Sequence, residues 1–230
     1  MSSGKILALD CSTEYCSVAL LIDGEYTERC ERAEQRHSEW LLPMIDAVLA
    51  EGDLALRDLD AIAFGAGPGA FTGLRIACGV AQGLAFGAGR PVVAVPTLLA
   101  LAQATDAQRV VAALDARMGE IYLAAYEKID GQWQAVIAPC LCNPDSVPPL
   151  PGDDWFGVGS GFGAHGDKLR QHYARELGVV DGHTYPHARH IAALALDDWQ
   201  AGRSVSASDA LPLYIRDKVA FTENERRAAS

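Results

Sequence analysis

The stretch that decides the fold is residues 63–85, AFGAGPGAFTGLRIACGVAQGLA. The apolar run at residues 61–64 predicts a buried strand, and the glycines and proline at residues 65–69 predict that it ends in a loop. Thr72 stands where a helix N-cap is expected, because its hydroxyl can accept a hydrogen bond from a first-turn amide. From Leu74 onward, apolar residues recur at helical spacing. The stretch therefore predicts strand, glycine loop and helix.

Two interpretations of this loop stay open at the level of sequence. A glycine loop before a helix places amides at the positive end of the helix dipole, which is a common cradle for phosphate. The stretch lacks the lysine of a P-loop, however, and departs from the dinucleotide-binding glycine pattern. The other interpretation is a tight strand-to-helix turn that binds nothing. Gly79, Gly83 and Gly87 share one face of the helix, which predicts close approach by another helix, within the chain or across a subunit interface.

The composition narrows the class of protein. The chain has 230 residues, half of them hydrophobic, and its alternating strands and helices predict an α/β fold. The formal net charge of −11 argues against direct nucleic-acid binding, so we expect contact with RNA only through a partner. Basic residues gather late, at Arg216, Lys218, Arg226 and Arg227. A short polar start and no membrane-length apolar run predict a cytoplasmic protein without membrane contact, with its six cysteines reduced.

The chain contains two similar β-hairpins. KILALD ends in Asp10, a polar turn and a return strand at residues 17–22 follow, and an Asp-Gly pair closes the unit. RVVAALD ends in Asp115, and a return strand at residues 121–126 is again followed by Asp-Gly. We interpret this as a duplication; chance similarity of two hairpins is the alternative. The predicted division is lobe I at residues 1–105, lobe II at 106–205, and a C-terminal segment with a frayed tail at 206–230.

Further elements follow from periodicity. An amphipathic helix is predicted over residues 37–51, with Pro43 in its first turns. Other predicted strands lie at residues 91–95 and 156–159, other predicted helices at 97–105, 167–177 and 191–200, and a proline-rich connection at 143–154.

Four blocks of sequence resemble the bacterial TsaB (YeaZ) family of the actin-like ATPase and sugar-kinase (ASKHA) superfamily. They are LALDCSTEYCSVALL near the start, GPGAFTGLRI at residues 67–76, DARMGEIY at 115–122, and YIRD with Val219 and Ala220 near the end. The resemblance covers both lobes. It implies two duplicated actin-like lobes, each a mixed β-sheet that opens with a β-hairpin and is flanked by helices.

The resemblance also implies a role. TsaB proteins pair with the similar but larger TsaD subunit, which transfers a threonylcarbamoyl group to the adenosine next to the anticodon, and a TsaE ATPase joins them. TsaD-like proteins carry a His-x-x-x-His pair where this chain has Thr97 and Leu101, neither of which ligates a metal. We therefore expect a non-catalytic subunit that binds no metal and no cofactor tightly, that forms a homodimer when alone, and that belongs to a complex using ATP. A small-molecule or nucleotide-dependent phosphotransferase is the alternative, and a protease has no supporting triad.

Two sets of candidate residues result. The interface set lies on the helices at residues 37–51 and 74–86: His37, Trp40, Leu41, Met44, Ile45, Leu74, Ile76, Gly79, Val80 and Gly83. The nucleotide set consists of Asp10, Ser12, Thr13, Gly67 and Gly69, with Asp10 capping its own turn as the alternative. His183, His187 and His190 form a metal site or, alternatively, a polar helix start, and Cys140-x-Cys142 is half of a metal-binding motif.

Overall fold

The computed structural model describes residues 3–216, which form two five-stranded mixed sheets flanked by helices. The first sheet has the order β3-β2-β1-β4-β5. Its elements are β1 (Lys5–Asp10), β2 (Tyr15–Ile22), β3 (Glu25–Arg32), α1 (His37–Glu51), β4 (Ala61–Gly67), α2 (Phe71–Ala88), β5 (Val92–Pro96) and α3 (Thr97–Gln103). Short 3-10 helices lie at Leu56–Asp58 and Ala207–Asp209.

The second sheet repeats this plan. Read from its hairpin edge, its order is β8-β7-β6-β9-β10. Its elements are β6 (Arg109–Asp115), β7 (Ile121–Ile129), β8 (Gln132–Cys142), β9 (Trp155–Val158), α4 (Ser160–His172), β10 (Leu177–Asp181) and α5 (Ala188–Gln200). In both sheets the first two strands form an antiparallel hairpin, and the first strand then pairs in parallel with the fourth. The predicted α/β class with two duplicated actin-like lobes is confirmed.

Both faces of the first sheet are covered. Because successive side chains of a strand point to opposite faces, Leu7 and Leu9 pack with α1 and α2, whereas Ile6 and Ala8 pack with α5. The second sheet has α3 on one face, and α4 with the connection at residues 143–154 on the other. Burial on both sides explains why the central strands are almost continuously apolar.

The lobes exchange one helix each. α3 follows the first sheet in sequence, yet Leu98, Leu101 and Ala102 pack into the core of the second sheet. α5 follows the second sheet, yet Ile191 and its neighbours pack on the first. Each sheet therefore has one face covered by a helix from the other half of the chain. The division into lobes at residues 105 and 205 stays a prediction.

Some predicted boundaries were wrong. Thr72 is not the N-cap of α2: that position is Ala70, whose carbonyl accepts the first helical bond from Leu74, and no side chain caps the helix. The helix predicted at residues 167–177 lies instead at 160–172, because the chain leaves the helix at Tyr173 and residue 177 begins β10. The helix predicted at 97–105 ends at Gln103.

Three strands were not predicted: β3, β8 and β10. All three are edge strands, so each pairs with a neighbouring strand along one side only and tolerates charged or polar residues. β3 reads EYTERCER and has no buried residue, so its sequence carries no apolar alternation. Its pairing with β2 over its whole length is what makes it a strand.

Candidate functional site

The glycine loop between β4 and α2 is packed against the turn that follows β1. A Cβ atom added at Gly73 would lie 1.8 Å from the carbonyl oxygen of Cys11, and one at Gly69 would lie 2.5 Å from that of Ser12. The amide of Ala70 donates to the same Ser12 oxygen at 2.7 Å. Two of the loop's glycines therefore permit close backbone approach within the chain. This supports the interpretation of a tight strand-to-helix turn.

Asp10, at the end of β1, is closed off from solvent. It is 1 % exposed, and its Oδ1 accepts a hydrogen bond from the Ser12 amide at 2.6 Å while its Oδ2 accepts one from the Ser12 hydroxyl at 3.0 Å. Burial raises the pKa of Asp10 to about 6, although the Ser12 hydrogen bonds and the nearby His37 act in the opposite direction. In this structure Asp10 caps its own turn, as the alternative interpretation predicts.

The rest of the predicted nucleotide set lies around the same turn. The Thr13 hydroxyl accepts a hydrogen bond from the Tyr15 amide at 3.3 Å. Gly67 has a positive φ of 116°, and its amide donates to the Thr97 hydroxyl at 3.0 Å. The structure thus brings Asp10, Ser12, Thr13, Gly67 and Gly69 to one end of the first sheet, and many of their polar atoms are engaged with one another or with Thr97.

The second hairpin repeats this arrangement in a more open form. Asp115 accepts hydrogen bonds from the Arg117 amide and guanidinium, both at 2.9 Å, and its own amide donates to the Ser160 hydroxyl at 3.2 Å. The acid of each hairpin therefore binds the amide two residues further on. This residue-level match agrees with the duplication.

The candidate metal ligands do not converge. Within residues 3–216, no three histidine, cysteine or acidic side chains lie close enough together to hold a metal ion. His187 is the N-cap of α5, and its Nδ1 accepts a hydrogen bond from the Arg189 amide at 3.2 Å. Burial lowers the pKa of His190 to about 4, with His187 and Arg189 acting in the same direction. The histidine group is thus the polar start of a helix. That helix, α5, begins at Ala188, three residues earlier than the predicted start at residue 191.

The two residues that stand where TsaD-like proteins have the histidine pair, Thr97 and Leu101, make structural contacts in this chain. Thr97 is buried and accepts the hydrogen bond from Gly67, and Leu101 is buried in the core of the second sheet. The half-motif Cys140 and Cys142 lies on the edge strand β8, half-buried, where the Cys140 thiol donates to the Leu123 carbonyl. All six cysteines are unpaired, as the sequence predicts.

The predicted interface residues divide into two groups. Leu41, Met44, Ile45 and Leu74 are buried, and they pack beneath α1 and α2. His37 is buried as well, and its Nε2 donates to the Thr13 carbonyl at 2.8 Å. These five side chains therefore stabilise the first lobe itself. Trp40, Ile76, Gly79, Val80 and Gly83 reach the surface of the two helices at least in part.

The outer face of α2 is smooth and partly apolar. Cβ atoms added at Gly79, Gly83 or Gly87 would meet nothing within 4 Å, so this glycine stripe is uncovered. Phe86 on the same helix is 85 % exposed, and Leu42 on α1 is 49 % exposed. Sequence reasoning did not include Phe86 and Leu42 in the interface set, although both lie within the predicted helices. A groove of about 440 Å³ adjoins Trp40 between α1 and β3.

Two lobes with the same strand order, each opening with an acid-ended hairpin, define the class: an actin-like α/β protein with a duplicated core. The family model described as "TsaD: tRNA N6-adenosine threonylcarbamoyltransferase" matches residues 30–160. The chain is 41 % identical to the tRNA threonylcarbamoyladenosine biosynthesis protein TsaB of Haemophilus influenzae, over 96 % of this chain and 97 % of that protein. It is 39 % identical to Escherichia coli TsaB, over 94 % and 96 %.

A solved structure agrees. YeaZ from Pseudomonas aeruginosa superposes with a TM-score of 0.82 at 43 % identity, covering 92 % of this chain and 99 % of that one. The chain therefore belongs to the TsaB (YeaZ) family of tRNA threonylcarbamoyladenosine biosynthesis proteins.

Some predictions fall beyond the described residues. The late basic residues Lys218, Arg226 and Arg227, the family positions Asp217, Val219 and Ala220, and the predicted frayed tail all lie after residue 216. In the part of the chain that is described, no helix has the length and apolar character needed to span a membrane.

Proposed function

We propose that this chain is a non-catalytic subunit that binds a TsaD-type threonylcarbamoyltransferase, joined by a TsaE-type ATPase, in the formation of N6-threonylcarbamoyladenosine next to the anticodon of tRNAs. The proposal includes a cytoplasmic location, ATP used by the complex without tight binding to this chain, and self-pairing when TsaD is absent. The observation that carries it is the uncovered face of α1 and α2, on a chain whose relatives are named for this pathway.

The uncovered face has the character of a helix-packing surface. Phe86 is 85 % exposed and lies next to the glycine stripe, where a neighbouring backbone can come close without meeting a side chain. If a similar protein presents the same two helices, a two-fold arrangement buries both faces in a four-helix contact. A TsaD-type subunit fits this requirement because the family model that matches this chain is that of TsaD.

Two observations favour a subunit without its own chemistry. Thr97 and Leu101, at the positions of the TsaD-like histidine pair, are engaged in structural contacts. The Asp10 carboxylate, which a phosphotransferase of this superfamily would direct toward nucleotide and magnesium, is buried and hydrogen-bonded to its own turn. The net charge of −11 leaves a partner to supply the basic surface for tRNA.

The deciding experiment is reconstitution with purified proteins. Unmodified tRNA, threonylcarbamoyl-adenylate and ATP are incubated with TsaD-type and TsaE-type subunits from the same cell, with and without this chain. We expect mass spectrometry to detect the modified adenosine only in the full mixture. Modified adenosine with this chain as the only protein, or full modification without it, would contradict the proposal. ATP turnover by this chain alone that disappears in Asp10→Ala would establish the phosphotransferase alternative instead.

A further inference from the structure

A small cavity, which we name the seam cavity, lies between the two lobes. It has a volume of about 130 Å³, and both halves of the molecule contribute to its walls. Leu99 on α3 and Trp133 near the start of β8 pack against the core of the second sheet, whereas Leu194 on α5 packs against the core of the first. The cavity is thus formed where the exchanged helices α3 and α5 meet. Ligand sites of proteins are common at such junctions between domains.

The size of the seam cavity limits the kind of molecule that it can hold. A single buried water needs roughly 10 to 15 Å³ of space, whereas pockets for drug-sized ligands have roughly 300 to 1,000 Å³. The volume of about 130 Å³ lies between these limits. A metabolite of a few heavy atoms fits this range.

Four charged side chains line the seam cavity, and two of them neutralise each other. The Arg203 guanidinium donates to Oδ1 of Asp198, at 2.8 Å from Nε and 2.6 Å from the terminal nitrogen. Among residues 3–216, neither the Lys128 ammonium nor the Asp197 carboxylate forms an ion pair. The Lys128 nitrogen lies 5.1 Å from the centroid of the Trp133 ring instead. The cavity therefore offers one positive and one negative charge that the chain itself does not neutralise.

These two groups demand a ligand with two kinds of end. A lysine ammonium only donates hydrogen bonds, and an aspartate carboxylate only accepts them. A ligand that satisfies both needs a carboxylate for Lys128 and an ammonium for Asp197. A free α-amino acid carries both groups on one carbon atom and has few heavy atoms in all. The indole of Trp133 already donates to Gln103 Oε1 at 2.6 Å, so its ring offers an apolar wall for a small side chain.

We infer that the seam cavity is a binding site for a small α-amino acid, whose carboxylate pairs with Lys128 and whose ammonium pairs with Asp197. A ligand in this position contacts both lobes, so its binding stabilises the folded chain with the lobes as they are. The inference does not depend on the proposed partnership with TsaD. That partnership concerns α1 and α2, which cover the opposite face of the first sheet from α5.

The first test compares three probes on the full native chain. L-Serine carries both charged groups, ethanolamine lacks its carboxylate, and 3-hydroxypropionate lacks its ammonium. Isothermal titration calorimetry measures affinity, and the NMR resonance of the Trp133 indole N–H reports occupancy of the cavity. We expect serine to bind and to shift this resonance, and each truncated probe to bind at least about 10-fold more weakly, because one hydrogen-bonded charge pair is lost. An unshifted resonance at millimolar serine, with the cavity holding water only, would overturn the inference, and so would equal affinity for the three probes.

The second test uses variants of the two unpaired groups. Lys128→Gln and Asp197→Asn should each weaken serine binding by about 10- to 100-fold, the range for loss of a hydrogen bond to a charged group. The controls Lys168→Gln and Asp167→Asn change an exposed lysine and an exposed aspartate on α4, which covers the opposite face of the second sheet from α3. These should bind serine as the native chain does. Native affinity in both cavity variants, or an equal loss in the controls, would contradict the proposed site, and circular dichroism verifies that each variant is folded.

Discussion

At the scale of single residues, Asp10 shows how burial changes the chemistry of a side chain. Its folded-state pKa of about 6 lies above the value of 3.8 for an unperturbed aspartate. Between these pH values the folded protein binds more protons than the unfolded chain, so its stability falls as the pH rises through this window and stays lower above it.

We predict that Asp10→Asn removes this pH dependence. Asparagine is uncharged at every pH and can still accept a hydrogen bond from the Ser12 amide. The difference in unfolding free energy between the variant and the native chain should shift in favour of the variant by about 2 to 3 kcal/mol as the pH rises from 4 to 8, because the folded-state pKa lies about two units above the unperturbed value. Urea unfolding at the two pH values measures the difference. An equal pH dependence in both proteins would show that Asp10 is not buried in this way.

Asp181 is a control of opposite sign. Hydrogen bonds from the Thr184 hydroxyl and the His183 amide lower the pKa of its carboxyl. The folded state therefore favours the charged form, and this contribution is present at neutral pH and lost as the pH falls through the lowered value. Asp181→Asn should be most destabilising at neutral pH and least at acidic pH, the reverse of Asp10→Asn.

At the scale of secondary-structure elements, α2 contains glycines with different roles. Gly73 in its first turn faces the Cys11 carbonyl, whereas Gly79 in its middle faces open space. We predict that Gly73→Ala loses about 3 kcal/mol of unfolding free energy, the upper end of the usual range for overpacking, because a backbone atom cannot yield to the new methyl group as a flexible side chain can. Gly79→Ala should gain about 1 kcal/mol, since alanine favours the helix. Chemical denaturation of both variants measures the contrast, and similar stabilities would contradict the packing described for the glycine loop.

At the scale of the whole molecule, the glycine stripe of α2 tests the proposed interface. We predict that Gly83→Arg stays folded, because the added side chain meets nothing in the chain, yet no longer pairs with itself or with a TsaD-type subunit. An arginine on the stripe holds the facing backbone away. Light scattering coupled to size exclusion measures both kinds of pairing, and circular dichroism measures folding.

Gly166→Arg is the matched control for that variant. Gly166 also faces open space, and it lies on α4, the helix of the second lobe that corresponds to α2. Both variants add the same charge and the same side chain. Loss of pairing in Gly83→Arg with normal pairing in Gly166→Arg is the expected result. Normal pairing in Gly83→Arg would place the interface elsewhere on the molecule.

The sequence by itself determined those elements whose pattern is local. The amphipathic repeat predicted α1 at the bounds it has, residues 37–51, and the apolar strand ending in Asp115 predicted β6. The repeated hairpins indicated the duplication, because a continuously apolar strand and an Asp-Gly turn can both be recognised from neighbouring residues alone. The nucleotide candidates on β1 and β4 lie near each other because these two strands are parallel neighbours and end at the same edge of the sheet, and their role in nucleotide binding stays a prediction.

The tertiary structure alone decided what depends on distant partners. β3 is a strand because β2 offers it a full ladder of hydrogen bonds, and α3 and α5 exchange lobes because each covers a sheet face that its own half of the chain leaves open. Leu41 and Phe86 are both apolar helical residues, yet one is buried and the other is 85 % exposed. The hydrophobicity of a side chain sets the free energy that its burial contributes. Packing against residues far apart in sequence decides which face of the helix is buried.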